Sequence, residues 1–365
     1  MSLTRRVAAQ LSALAALAVL AFSQSAVALL GGAAGPLVGF SFSPESVSAG
    51  SGRTSGQALQ LLLHRVVPEL VRLPVYWGDV APAPGRFDFA ALDGLIDTIE
   101  VYNADAARTV RVLLVVGARN IVYPELHVPD WVDEAEASQL GRLYESSDYR
   151  AYLQATIDHY AGLPILYAWQ VENEPLDNVT TDRDGSVALP AEVVADEVRL
   201  ARALDPDHPV VVTTFNSSHI SLDRLADGPL APLSAGFTGP RAAGHPNDAL
   251  RLGDALGLDL YVVTPSTDLA EASARTRIAW KAQTLDYWAQ KSRDAGKQLW
   301  VTEMQAAPWQ DVPGFTPADL MRSATAYRGR GVSVILLWGV EDWLENDGWM
   351  QAGQHAVEIL RAAPG

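Results

Sequence analysis

Two short runs hold the residues whose chemistry stands out. "YAWQVENEPLDN" (Tyr167–Asn178) opens as an apolar run, sets Glu172 and Glu174 either side of Asn173, and stops on Pro175. "QLWVTE" (Gln298–Glu303) likewise ends an apolar run on a carboxylate, Glu303. Two carboxylates brought together can break a glycosidic bond. One, kept protonated by its surroundings, supplies a proton to the leaving oxygen, while the other, ionised, meets the developing oxocarbenium ion. At a separation of ~5 Å the ionised group can attack the sugar directly, and the anomeric configuration is retained. An asparagine beside the acid, such as Asn173, can bond a sugar 2-hydroxyl. Tryptophan offers a flat apolar face to a pyranose, and an arginine or ring hydroxyl can orient the attacking carboxylate and depress its pKa. Residues of these types end other apolar runs: Arg72, with Tyr76, Trp77 and Asp79 just beyond it; Asp259 and Tyr261; and Trp338, Glu341 and Asp342. Glu172 shares the i, i+2 parity of Glu174, so it is expected to point inward as a subsite or salt-bridge residue. Trp77, Trp309 and Trp343 are expected to form cleft walls.

Residues so distant in sequence meet only if the fold gathers strand ends at one place. The apolar runs are Val38–Ser43, Leu70–Tyr76, Thr109–Gly117, Ile165–Glu172, Pro209–Thr214, Leu256–Val263, Gln298–Glu303 and Val332–Trp338. Most are continuous rather than alternating, as parallel strands covered on both faces require. Segments of helical period lie between them, among them Ala191–Leu204, which follows Pro190 and stops at "DPDHP". Ser273–Gly296 ends on the glycine favoured at a helix C-terminus, and Trp349–Ala363 closes the chain. Eight strand–helix units predict an α/β fold, a closed (β/α)8 TIM barrel, as one catalytic domain over residues 36–365. The active site of such a barrel sits at the C-terminal ends of its strands, so the polar residues just collected converge on one mouth.

Composition removes the other classes. The chain has 365 residues, 48% of them hydrophobic, and ten tryptophans, ample for a core. A formal charge of −16 repels nucleic acid and anionic membrane surfaces and is compatible with a neutral or cationic substrate. With no cysteine, disulfides, thiolate catalysis and cysteine-held zinc drop out. No histidine pair has metal-ligand spacing, and "GGAAG" near Gly31 does not open a nucleotide-binding βα turn. No metal and no cofactor are therefore expected, and the expected partner is a carbohydrate substrate. Arg5 and Arg6 precede the apolar run Val7–Phe22, and Ala26 and Ala28 suit signal-peptidase cleavage. Residues 1–28 read as a signal peptide, with a membrane anchor as the alternative, which places the protein outside the cytoplasm, secreted or in the cell envelope. "NVT" at Asn178 and "NSS" at Asn216 fit the N-glycosylation pattern.

"NEP" ending the fourth strand, "TE" ending the seventh and a tryptophan closing the eighth resemble the clan A glycoside hydrolases, the barrel group that includes the cellulase-like family 5. The segment "VRLPVYWGDVAPAPGRFDFAALD" (Val71–Asp93) is similar to the strand-two region of many members, and "QVENEP" is similar to the barrel β-galactosidases of that clan. The resemblance implies that Glu174 is the general acid/base and Glu303 the nucleophile. It further implies that Asn173 contacts the 2-hydroxyl, Arg72 supports the nucleophile, Tyr261 is aimed at it, and Trp338 is the platform under the sugar. Two positions depart from the family 5 pattern. Arg119 and Asn120 stand where a histidine usually ends strand three, and Asp259-Leu260-Tyr261 replaces H-x-Y on strand six. The implied activity is a retaining hydrolase that cleaves β-glycosidic bonds in a poly- or oligosaccharide by double displacement. The alternatives are a carbohydrate-binding barrel without turnover and a transglycosylase.

Overall fold

The computed structural model describes residues 35–47, 52–122, 125–132, 140–177, 188–215, 246–265, 269–309 and 312–363, with a few short pieces between them. The expected leader over residues 1–28 and the motifs at Asn178 and Asn216 lie outside the described residues.

Eight parallel strands close into a barrel: β1 (Leu37–Ser41), β2 (Leu70–Pro74), β3 (Arg111–Val116), β4 (Leu166–Val171), β5 (Val210–Thr214), β6 (Ala255–Leu260), β7 (Gln298–Gln305) and β8 (Val334–Trp338). Each strand pairs with its neighbours in sequence, and β8 returns to β1 through Leu37↔Val334 and Val38↔Ile335. The helices α1 (Ser55–Val66), α2 (Ala90–Asp105), α3 (Ser147–Tyr160), α4 (Ala191–Leu204), α5 (Pro246–Leu252), α6 (Ala274–Asp294), α7 (Pro317–Tyr327) and α8 (Asp347–Arg361) alternate with the strands. Their starts are written locally. Thr54 and Thr316 each form a capping box with the residue three positions on, and Ser146, Ser273 and Asn346 cap α3, α6 and α8.

The barrel interior changes character along its axis. Leu70, Leu113, Ala168, Val211, Ala255, Trp300 and Val334, one from each of β2 to β8, pack together with Leu37 of β1 as an apolar plug. Side chains alternate with period two along a strand, so the next inward positions are two residues further. On β2, β4, β5 and β7 these are Arg72, Gln170, Thr213 and Thr302, all fully buried. The same alternation that builds the plug thus hands over to polar groups toward the C-terminal ends.

Strand β7 departs from strict alternation. Opposite β6 its partners run from Val301 to Glu303 while β6 advances only from Leu258 to Asp259, and a register shift recurs opposite β8. The extra residue is a bulge, which re-aims side chains and is frequent beside active sites. Without it, Thr302 inward would mean Glu303 outward; with it, both face the interior.

Candidate active site

Strand β4 ends at Val171, and the chain then turns sharply, with left-handed backbone at Glu172 (φ 57°) and Glu174 (φ 45°). A non-glycine residue in that region costs roughly 1–2 kcal/mol, so the surroundings must hold it. They do. The Glu174 backbone N–H donates to Thr213 Oγ1 at 2.9 Å, and the Asn173 backbone N–H donates to the Arg119 carbonyl at 2.9 Å. The Glu172 backbone N–H donates to the Val116 carbonyl at 2.7 Å. Asp177 clamps the far side of the turn, accepting from Thr214 Oγ1 and from the Phe215 N–H.

The turn delivers Glu174 to the centre of the mouth beside Glu303 from β7 and Asp259 from β6. One carboxylate oxygen from each of the three lies within 4.8 Å of the others, and all three residues are buried. Arg72, fully buried on β2, aims one terminal nitrogen at Glu303 Oε1 (2.7 Å) and the other at Asn173 Oδ1 (2.7 Å). The Tyr261 hydroxyl donates to the other oxygen of Glu303. Burial, and next the charge of Glu303, raise the Tyr261 pKa, so this hydroxyl keeps its proton and acts as a donor. Glu303 is thus gripped on both oxygens, by a guanidinium on one and a hydroxyl donor on the other.

Glu174 has the opposite environment. Its Oε1 is buried without a hydrogen-bond donor, and no cation pairs with it among the described ion pairs. Burial pushes its pKa well above the usual carboxylate range, and the neighbouring charges of Asp259, Glu125 and Glu303 push it further. Two carboxylates side by side thus have unlike surroundings, one without a donor on Oε1 and one bonded on both oxygens. Arg72 meets the charge of the cluster directly, so the three carboxylates read as a proton-and-nucleophile set rather than as a cation cage.

The other sequence-derived residues fall into two groups. Asn173 belongs to the site: its Oδ1 accepts from Arg72 and from Gln170 Nε2 (3.2 Å), which leaves its amide N–H groups to face a ligand. Trp338, at the end of β8, and Tyr261 are partly buried at the mouth, and Trp309 meets the Tyr261 ring edge-on with centroids 4.9 Å apart. Glu172, expected to point inward as a subsite or salt-bridge residue, is instead enclosed. It accepts from the backbone N–H of Ala118 (2.9 Å) and Arg119 (2.7 Å), from the Tyr144 hydroxyl (3.1 Å) and from the Tyr149 hydroxyl (2.5 Å). Its parity with Glu174 fails because the backbone has left the strand, and the side chain anchors the β3 and β4 loops behind the site. Trp77 is likewise not a cleft wall: it is 1% exposed and packs against Trp131, Tyr149 and Tyr152. Trp343 is also 1% exposed, its indole N–H bonded to the Ala306 carbonyl. Arg119 and Asn120, in place of the strand-three histidine, bond backbone carbonyls: Arg119 those of Pro175 and Asp177, Asn120 those of Val75 and Val115.

Sequence reading missed one acid and did not place another. Glu125, on the loop after β3, sits 3.9 Å from Arg119, and burial drives its pKa up to about 8. No periodic signal marks a loop carboxylate of this kind. Asp259 was visible as a strand-end acid, but its place against Glu174 was not.

No family model matches the sequence. Solved structures do match in fold. A GH5_18 protein from Streptomyces cattleya in complex with GlcNAc superposes with a TM-score of 0.63 at 15% identity, over 91% of this chain and 83% of that one. A GH5_18 protein from Bifidobacterium longum subsp. infantis gives 0.63 at 12% identity, over 91% of this chain and 80% of that one. Native xylanase 10B from Thermotoga maritima gives 0.52 at 13% identity, over 88% and 94%. The chain has the (β/α)8 barrel fold of clan A glycoside hydrolases.

Proposed function

We propose that this protein is a retaining glycoside hydrolase acting on β-linked sugars, with Glu174 as general acid/base and Glu303 as nucleophile. The observation that carries the reading is the carboxylate pair itself: oxygens of Glu174 and Glu303 within 4.8 Å, one carboxyl raised by burial and the other held by Arg72 and Tyr261. That spacing suits direct attack and falls short of the ~6.5–9.5 Å between the two groups of an inverting enzyme.

The reaction then runs in two displacements. Glu303 attacks the anomeric carbon as the bond to the leaving oxygen breaks, and that oxygen takes the proton of Glu174. A water next attacks the same carbon and gives its proton to Glu174, while Glu303 departs as a carboxylate. Asn173, its carbonyl fixed by Arg72, offers its N–H to the 2-hydroxyl, an interaction that strengthens in the transition state. Trp338 lies under the sugar as a platform. No step uses a metal or a cofactor.

A GH5_18 variant from Bifidobacterium longum binds Manb1-4GlcNAc, so that disaccharide heads the panel of β-linked oligosaccharides to be tried. The leader-like residues 1–28 support action outside the cytoplasm. Glu174→Gln and Glu303→Gln are each expected to lower kcat by at least ~1,000-fold while the circular dichroism spectrum is kept. Azide should restore turnover of an activated aryl glycoside to Glu303→Ala, giving a glycosyl azide. Activity within tenfold of the parent in either glutamine variant contradicts the assignment. Saccharide binding without hydrolysis across the panel would favour the non-catalytic alternative.

A further inference from the structure

Asp259 is the third carboxylate of the mouth, and double displacement gives it no task. Strand β6 sets it in register against Glu303, and the Thr302 hydroxyl donates to its Oδ1 at 2.6 Å. Its Oδ2 has no such donor and is fully buried, and the same is true of Glu174 Oε1. Oxygens of the two side chains lie within 4.8 Å. Two carboxylates this close in a site shut off from water cannot both ionise without a large penalty, so they hold a proton between them.

The groups facing the pair come from five places. They are Arg72 on β2, Glu303 and Thr302 on β7, Tyr261 just past β6, Glu125 on the loop after β3 with Arg119 beside it, and Asp177 on the loop after β4. Arg72 has both terminal nitrogens committed to Glu303 and Asn173. Burial and the Glu303 charge raise the Asp259 carboxyl too, but the Arg72 charge and the Thr302 hydroxyl oppose that rise, whereas burial and four neighbouring acids all push Glu174 up. The shared proton therefore belongs on Glu174, which donates it to Asp259.

We infer that Asp259 is the proton partner of Glu174, an anion that accepts the Glu174 O–H and fixes the pH range over which Glu174 acts as an acid. It is a positioning residue, since it acts through Glu174 rather than on the sugar. The inference rests on the glycosidase reading for its consequence in turnover, but the pairing itself is measurable without substrate.

The test is a carboxyl 13C NMR titration of the full chain labelled at Glu Cδ and Asp Cγ, with Glu174→Gln and Asp259→Asn used to assign the two resonances. In the parent, both resonances are expected to move together in two shared steps, as coupled sites do. In Asp259→Asn the Glu174 midpoint should fall by about one pH unit or more, because the like charge is gone. The basic limb of the kcat/KM profile should fall with it, while the acid limb stays. If Asp259→Asn does not fold, the parent titration decides alone: independent single-step curves for the two carboxyls overturn the inference. So does a folded Asp259→Asn with an unmoved Glu174 midpoint, even where Glu174→Gln and Glu303→Gln are inactive and the glycosidase reading stands. Full activity of Glu174→Gln would instead sink that reading and leave the titration to judge the pair.

Discussion

Arg72 is the residue on which the site turns. Its planar fork reaches Glu303 with one nitrogen and Asn173 with the other, both at 2.7 Å, so a single side chain sets the attacking carboxylate and the amide that faces the sugar. Lysine keeps the charge but has one compact ammonium and cannot span both. Arg72→Lys is expected to lower kcat by ~100-fold, equivalent to ~3 kcal/mol of transition-state stabilisation, with a smaller change in KM. Steady-state kinetics beside a thermal melt separates that loss from unfolding. At this scale the sequence was legible wherever a polar residue ended an apolar run: Glu174, Glu303, Arg72 and Tyr261 meet as their positions implied. It was not legible at Glu172 and Trp77, because local backbone direction decided between mouth and interior. Two left-handed residues in a row of three turned Glu172 away from the parity its strand had set.

At the scale of elements, the turns that leave the strands matter more than the strands themselves. Gly117 follows β3 with φ 135°, and a Cβ there would come 2.2 Å from Glu172 Oε1. Glycine is required twice over, by the backbone and by the buried carboxylate that ties the β3 and β4 loops together. Gly117→Ala should destabilise the fold by about 2–4 kcal/mol, overpacking and backbone strain adding, and denaturant melts would show it as a lowered midpoint. Behind Glu172 the Tyr149 hydroxyl lies 2.5 Å from both Glu172 and Glu197. One hydrogen cannot be donated twice, and Glu172 already has the backbone donors that favour an anion, so Glu197 carries a proton; its raised pKa agrees. Helix α4 matches the sequence reading residue for residue, because Pro190 and the "DPDHP" run fix its ends. The β7 bulge had no such signature. Nothing in "QLWVTEMQ" shows that an extra residue will turn Thr302 and Glu303 to the same side.

Across the whole molecule, the mouth of the barrel and the loops behind it hold acids that folding has dried. Glu125 is raised to about 8, and Glu172 and Glu341 to about 7, in each case chiefly by burial. A carboxyl whose folded pKa exceeds its unfolded value binds more protons in the folded state, so its contribution is fully present below the unfolded value and is lost as pH rises through the folded one. The window opened by these groups runs from the ordinary carboxylate range up to about 8. The melting temperature should therefore be higher near pH 5 than near pH 8, and calorimetry across roughly that span checks the sign. A melting temperature that climbs steadily over the same range would contradict the buried-acid account. The barrel itself was legible because eight apolar runs separated by helical segments admit few other closures. The loops that would choose a sugar were not, since their shape comes from contacts no period encodes.

The pairing of Glu174 with Glu303 as acid and nucleophile is tested most directly by the stereochemistry of the first product. With a β-linked substrate the chain turns over, the sugar released should appear first as its β-anomer in a 1H NMR time course and only later mutarotate. First appearance of the α-anomer would mean single displacement by water and would contradict the account.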